Sequence, residues 1–256
     1  MNISHRKVNK RIKITDKTGN PVANKAIKVK QTNHDFLFGC GGFDFIPYVK
    51  RNEDFKDITD KWLDVFNYGT LPFYWGGYEI TEGSPDTESL LNTAKYMQSK
   101  NVKVKGHPLC WHTVCADWLM EYDNATIMKK QLDLIDREVT TFKGVIDIWD
   151  VINEVVIMPI FDKYDNAITR ICKGKGRVGL IKEVFDKAYE CNPEATLLLN
   201  DFNTSINYEI CALTIHPNLP IRCLRILSKK NGIPISKSTA IPKAISISKH
   251  SRAITA

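Results

Sequence analysis

The sequence predicts an α/β fold of the (β/α) barrel type, incomplete at about five βα units. A small β-hairpin appendage stands before it and a basic tail behind it. Three observations predict this. From His34 onward, short strand-like runs alternate with helical stretches, a rhythm that implies a parallel sheet. Five of those runs close on hydrogen-bonding residues, and that is the end at which such a barrel builds its site. No Gly-rich phosphate loop follows any run, which argues against a doubly wound open sheet. The chain has 256 residues, 43% of them hydrophobic, which is enough apolar material for a sizeable core and excludes a disordered protein.

The elements follow in order. Residues 1–33 read as the hairpin: Arg11-Ile-Lys-Ile-Thr15 alternates apolar and polar, Asp16 to Pro21 supplies turn residues, and Ala26-Ile-Lys-Val-Lys30 alternates again. The barrel part spans 34–209. Its strand-like runs are Phe36–Gly39, Phe66–Thr70, Val102–His107, Val145–Glu154 and Thr196–Phe202. A helix capped by Ser84-Pro85 carries Leu90, Leu91, Ala94 and Met97 at helical spacing, with Asn101 beyond its end. A second covers Ala125 to Phe142, with Ile127, Leu134, Ile135 and Val139 on one face and Gly144 as its stop. A third runs from Val178 to Glu190, with Ile181, Val184, Phe185 and Ala188 inside and Pro193 after it.

The tail, 210–256, differs in kind. All 29 acidic residues lie at or before Glu209, so the body carries −1 and the tail +8 of the net +7. The tail also lacks Phe, Tyr and Trp and shows no helical period, so it is expected to be poorly ordered and foreign to the fold, as from a truncated or frame-shifted product. A body of charge −1 gives no reason to expect a nucleic-acid partner, and the tail lacks the interleaved aromatics that single strands stack on. No apolar run reaches the length of a membrane span, and the basic start, Met1 to Lys10, leads into no apolar segment, so neither a membrane nor a signal peptide is expected and the compartment stays undetermined. The seven cysteines are irregularly spaced without a C-x-x-C pair and read as free thiols.

Three polar clusters close strands: Gly106-His-Pro-Leu-Cys-Trp-His112, Trp149-Asp-Val-Ile-Asn-Glu154 and Asn200-Asp-Phe-Asn203. Buried strand ends seldom carry such groups without partners, because unpaired polar groups there are costly. Taken singly, each residue has a plain structural reading: His107 and His112 as satisfied core histidines, Trp111 and Trp149 as core, Asp150 as a turn cap. A metal site is not expected, because histidines five apart at a strand end need not converge.

Taken together, the three clusters resemble glycoside hydrolase family 10, chiefly endo-β-1,4-xylanases, over about residues 34–208. The resemblance implies a (β/α)8 TIM barrel, a retaining mechanism on xylan or a related β-1,4-glycan, and no cofactor. It makes Glu154 the acid/base, with a pKa raised by burial and a nearby carboxylate. Asn153 would bond the sugar 2-hydroxyl, and His107 and Trp111 would line the same subsite. His112, Asn200 and Asn203 would be supporting polar groups, and Asp150 would orient its neighbours.

Among the departures from the family pattern are a Gln expected after Trp111-His112, where Thr113 and Val114 stand, a Gln and a His expected after the sixth strand, and two that bear most on the chemistry. The Glu-Asn and Lys that follow its second strand are absent; Phe73, Tyr74 and Trp75 stand there instead, with Trp75 the expected stacking surface. The family nucleophile, a Glu near the seventh strand, has no counterpart, since no carboxylate follows Glu209. The sequence therefore implies xylanase descent with a chain inactive by itself. A non-catalytic carbohydrate-binding protein on the same scaffold is the alternative, and a degenerate chain without function a third reading.

Overall fold

A computed structural model describes residues 13–24, 26, 28 and 35–201. The chain divides into two units, Met1–His34 and Asp35–Ala256. In the first, Thr15 and Pro21 form an antiparallel bridge and Val22 N–H donates to Ile14 O at 3.0 Å. Asp16 closes the turn by accepting the N–H groups of Thr18 and Asn20, both at 2.9 Å. The outer parts of the expected hairpin lie outside the described residues, as do Asn203 and the tail.

The second unit is an α/β body. Its strands are β1 (Gly39–Gly41), β2 (Tyr68–Pro72), β3 (Lys103–His107), β4 (Ile148–Asn153) and β5 (Thr196–Asn200). Its helices are α1 (Phe45–Arg51), α2 (Lys56–Leu63), α3 (Trp75–Tyr78), α4 (Thr87–Ser99), α5 (Asn124–Thr141), α6 (Ala167–Lys175) and α7 (Arg177–Cys191). All neighbouring strands pair in parallel, in the order β1-β2-β3-β4-β5. That order never reverses. A doubly wound sheet needs a reversal to place helices on both faces, so the structure decides for the incomplete α/β barrel.

The two faces of the sheet separate by chemistry. Trp149, fully buried, points to the helical side, where Phe73 and Phe142 meet it edge-on at 4.8 and 6.1 Å. Gly106 beside it is dictated by space, since a Cβ there would lie 2.1 Å from Trp149 Cζ3. The next residue, Asp150, turns the other way and meets Lys105 and His107. Opposite faces for successive residues is the period of a strand. Between Asp150 and Ile152 the register to β5 shifts by a bulge, which re-aims Asn153 and Glu154 at the strand end.

Two expectations move. The first strand begins at Gly39 rather than Phe36, because Phe38 N–H is taken by the Asn67 side chain at 2.8 Å. Gly39 then approaches its neighbour so closely that a Cβ would sit 1.6 Å from Tyr68 O. Helix α4 starts at Thr87 behind Asp86, two residues past the expected Ser84-Pro85 cap, because Ser84 N–H closes a turn onto Thr81 O. Asp123 caps α5, accepting from Thr126 N–H at 2.7 Å, and Gly144 follows that helix at φ +80°. Five cysteines are free among the described residues: Cys40, Cys110, Cys115, Cys172 and Cys191. No described helix is long and apolar enough to cross a membrane.

Candidate active site

The site gathers at the C-terminal ends of β2 to β5. At its centre Trp111 Nε1–H donates to Glu154 Oε2 at 2.8 Å. Glu154 follows β4 directly, and the backbone there is strained, with φ +55°. A non-glycine residue with a carboxylate side chain rarely adopts that conformation, so the surrounding bonds have to hold it. They do so from both neighbouring segments. Glu154 N–H donates to Asn200 O at 2.8 Å, and Asn153 N–H donates to Cys110 O at 2.9 Å. Val156 N–H donates to the buried Asp201 carboxylate at 3.0 Å. Arg177, at the start of α7, donates to Val155 O at 3.1 Å and Val156 O at 2.6 Å.

Asn153 is buried, and its Oδ1 accepts from Asn200 Nδ2 at 2.8 Å. That bond fixes the orientation of the Asn153 amide. His107 Nδ1 lies 2.7 Å from Asp150 Oδ2, and Lys105 Nζ donates to the same oxygen at 2.5 Å. The Asp150 carboxylate is almost fully buried, and two donors on one oxygen are what such a buried anion requires. An ionised carboxylate only accepts, so His107 holds its Nδ1 proton toward Asp150 and turns Nε2 outward.

Most of the residues expected from sequence converge: Glu154, Asn153, Trp111, His107 and Asn200. Two do not. His112 is fully buried with its ring 4.3 Å from Phe161, and its Nδ1 has no hydrogen-bond partner among the described residues. Burial lowers its pKa to about 4. Trp75 is buried in the first turn of α3, 5.6 Å from Trp118, with its indole donating to Glu79 at 3.0 Å. The chain bends into a helix after Tyr74, and that bend turns Trp75 inward. Tyr74 takes the place at the site, its ring centroid 5.3 Å from Trp111 and 5.9 Å from His107. Burial and the Glu154 charge both push the Tyr74 phenol up.

Sequence reasoning missed Tyr74 as the site aromatic, Lys105 and Arg177. Lys105 left a signal. It stands two residues before His107 in a strand and therefore shares its face.

Known proteins match this chain in sequence and in fold. The family described as "Glycosyl hydrolase family 10" matches residues 74–217, more than half of the chain. "Endo-1,4-beta-xylanase 5" of Arabidopsis thaliana is 22% identical over 205 residues, covering 79% of this chain and 33% of that protein. "Anti-sigma-I factor RsgI6" of Acetivibrio thermocellus is 24% identical over 208 residues, covering 78% and 25%. The solved family 10 structure from Paenibacillus barcinonensis superposes with a TM-score of 0.60 at 20% identity, over 75% of this chain and 60% of that one. Native xylanase 10B of Thermotoga maritima does so with a TM-score of 0.59 at 19% identity, over 75% and 59%. The chain thus spans about a third of the first curated relative and under two thirds of these solved structures. On its sequence match and its barrel geometry together, the chain belongs to glycosyl hydrolase family 10.

Proposed function

We propose that this chain carries the proton-donor half of a retaining endo-β-1,4-xylanase site, and that its substrate surface recognises xylan or a related β-1,4-glycan. The observation that supports the reading is the bond from Trp111 to Glu154, beside the Asn153–Asn200 amide pair, at adjoining strand ends. In such a reaction the Glu154 carboxyl passes its proton to the glycosidic oxygen as the bond to the anomeric carbon breaks. The Asn153 amide and His107 Nε2 would meet sugar hydroxyls. A second carboxylate, about 5–5.5 Å away, must attack the anomeric carbon from the opposite face. Asp150 is unsuited to that role because its charge is committed to Lys105 and His107. Residues 210–256 contain no Asp or Glu. The 256-residue chain by itself is therefore a binder without turnover.

The test is reducing-sugar release from xylan by the purified chain, with Glu154→Gln as control, beside affinity electrophoresis in xylan gels. We expect no release above the control, retardation by xylan, and loss of retardation in Trp111→Ala. Release above the control would refute the inactivity. A chain that xylan does not retard would refute the binding.

A non-catalytic carbohydrate-binding role for the whole protein is the second reading. Its support is that one similar protein bears the name of an anti-sigma-I factor rather than a hydrolase. Fusing the C-terminal barrel segment of a family xylanase to this chain separates the two readings. Recovered turnover favours the enzyme, and unaltered binding without turnover favours the binder.

A further inference from the structure

Strand β2 ends at Pro72 and delivers three aromatic residues in a row. They divide. Phe73 and Trp75 turn into the core, 3% and 5% exposed, while Tyr74 stays half-buried at the site. On its far side stands Phe43, 37% exposed, whose ring meets Tyr74 edge-on at 5.9 Å and 81°. On its near side lies Trp111, inclined at 52°. Phe43, Tyr74 and Trp111 thus form a continuous aromatic strip from the Glu154 carboxylate to the loop after β1. The Tyr74 hydroxyl keeps its proton at neutral pH, since burial and Glu154 raise its pKa, so the middle ring is uncharged.

We propose that this strip is the sugar-binding wall of the site and that Tyr74 determines its specificity, selecting chains of all-equatorial β-1,4-linked pyranoses by their C–H faces. The inference rests on the glycan-binding reading above and names its substrate class. A pyranose with all substituents equatorial presents axial C–H groups on both faces, a flat apolar surface that an aromatic face covers well. Xylose and glucose share that surface and differ only in the hydroxymethyl group at C5, which lies at the ring edge. A stacking wall therefore takes both. A mannose unit carries an axial 2-hydroxyl that spoils one face. Polar residues at this strand end would read individual hydroxyls; here an aromatic ring stands instead.

Calorimetric titration of the full 256-residue chain with xylohexaose, cellohexaose and mannohexaose tests this. We expect Kd values for the first two within about tenfold of each other, and mannohexaose at least about tenfold weaker. Tyr74→Ala should weaken xylohexaose and cellohexaose together, each by about tenfold, whereas Tyr74→Phe should stay within about twofold of the parent. The inference is overturned if Tyr74→Ala binds like the parent, if Tyr74→Phe loses as much as Tyr74→Ala, if mannohexaose binds as tightly as the others, or if the two favoured chains differ by more than about tenfold. Failure of the parent to bind any of the three sinks the glycan reading as well. Binding that Trp111→Ala abolishes and Tyr74→Ala leaves intact sinks the specificity claim alone.

Discussion

The indole of Trp111 donates its N–H to Glu154 across 2.8 Å, tying the loop after β3 to the end of β4. The bond matters because Glu154 is held in two independent ways. Its backbone sits at φ +55° between the Asn200 carbonyl and the Arg177-bound loop, and its side chain is steered by the indole. Strain of this kind costs on the order of 1–3 kcal/mol and persists only where the surroundings over-determine it. Here the benefit is a carboxylate held against the Trp111 indole, beside the Tyr74 ring.

The indole bond is visible by NMR. Glu154→Ala should move the Trp111 Nε1–H resonance further than any other indole, because it loses its acceptor. Glu154→Gln keeps a carbonyl oxygen and should move it less. If the Trp111 resonance ignores both substitutions, the bond does not exist in solution.

The backbone strain can be isolated by comparing two truncations at the same position. Both Glu154→Gly and Glu154→Ala remove the carboxylate, but only glycine relaxes at φ +55°. Urea unfolding should find the glycine variant more stable than the alanine variant by about 1 kcal/mol. Equal stabilities would mean that the left-handed conformation costs nothing.

The Lys105–Asp150–His107 group gives a larger effect. Asp150→Asn leaves the Lys105 ammonium, 11% exposed, without its counter-charge. Removing one partner of a buried pair costs about 3–5 kcal/mol, whereas replacing both charges is often far milder. Denaturant titration should therefore show Asp150→Asn well below the parent, and Lys105→Met combined with Asp150→Asn should regain part of the loss. A double variant less stable than Asp150→Asn alone would show that Lys105 is not the stranded charge.

Much of this was legible in the sequence. The strand run ending at His107 alternates, the run ending at Asn153 is a short, mostly apolar stretch, and α5 and α7 carry long apolar stripes, so hydrophobic pattern located them. The short helices α1 and α2 were missed because their apolar residues pack as an aromatic group, Phe45 with Phe55 and Trp62, rather than as a regular stripe. In the site, Glu154, Asn153, Trp111, His107 and Asn200 were readable because their motifs name them. Trp75 was misread for Tyr74. Three consecutive aromatics have no period, and the bend that starts α3 decides which of them faces the site. His112 was misread too, since nothing in Trp111-His112 tells that the histidine ring turns under Phe161. Arg177 left no signal, because its role is bonding to backbone carbonyls that any sequence would supply.

The buried His112 makes a prediction about acid stability whose sign is fixed. Its ordinary pKa of 6.5 falls to about 4 in the folded chain because burial disfavours the cation. Below pH 6.5 the unfolded chain takes up a proton that the folded chain refuses until about pH 4. The stability linked to this residue is therefore complete above pH 6.5 and is lost progressively as the pH falls to about 4, for a total on the order of 3 kcal/mol. His112→Leu has a similar volume, removes the unpartnered Nδ1 and cannot titrate. Urea unfolding of parent and variant at pH 7, 5.5 and 4 makes the comparison, and acid effects from the carboxylates cancel in the difference. The parent should lose stability relative to His112→Leu by on the order of 3 kcal/mol between pH 7 and pH 4. A difference that stays constant over that interval would mean that the imidazole takes up its proton at the same pH in the folded as in the unfolded chain, and would refute the effect of its burial under Phe161.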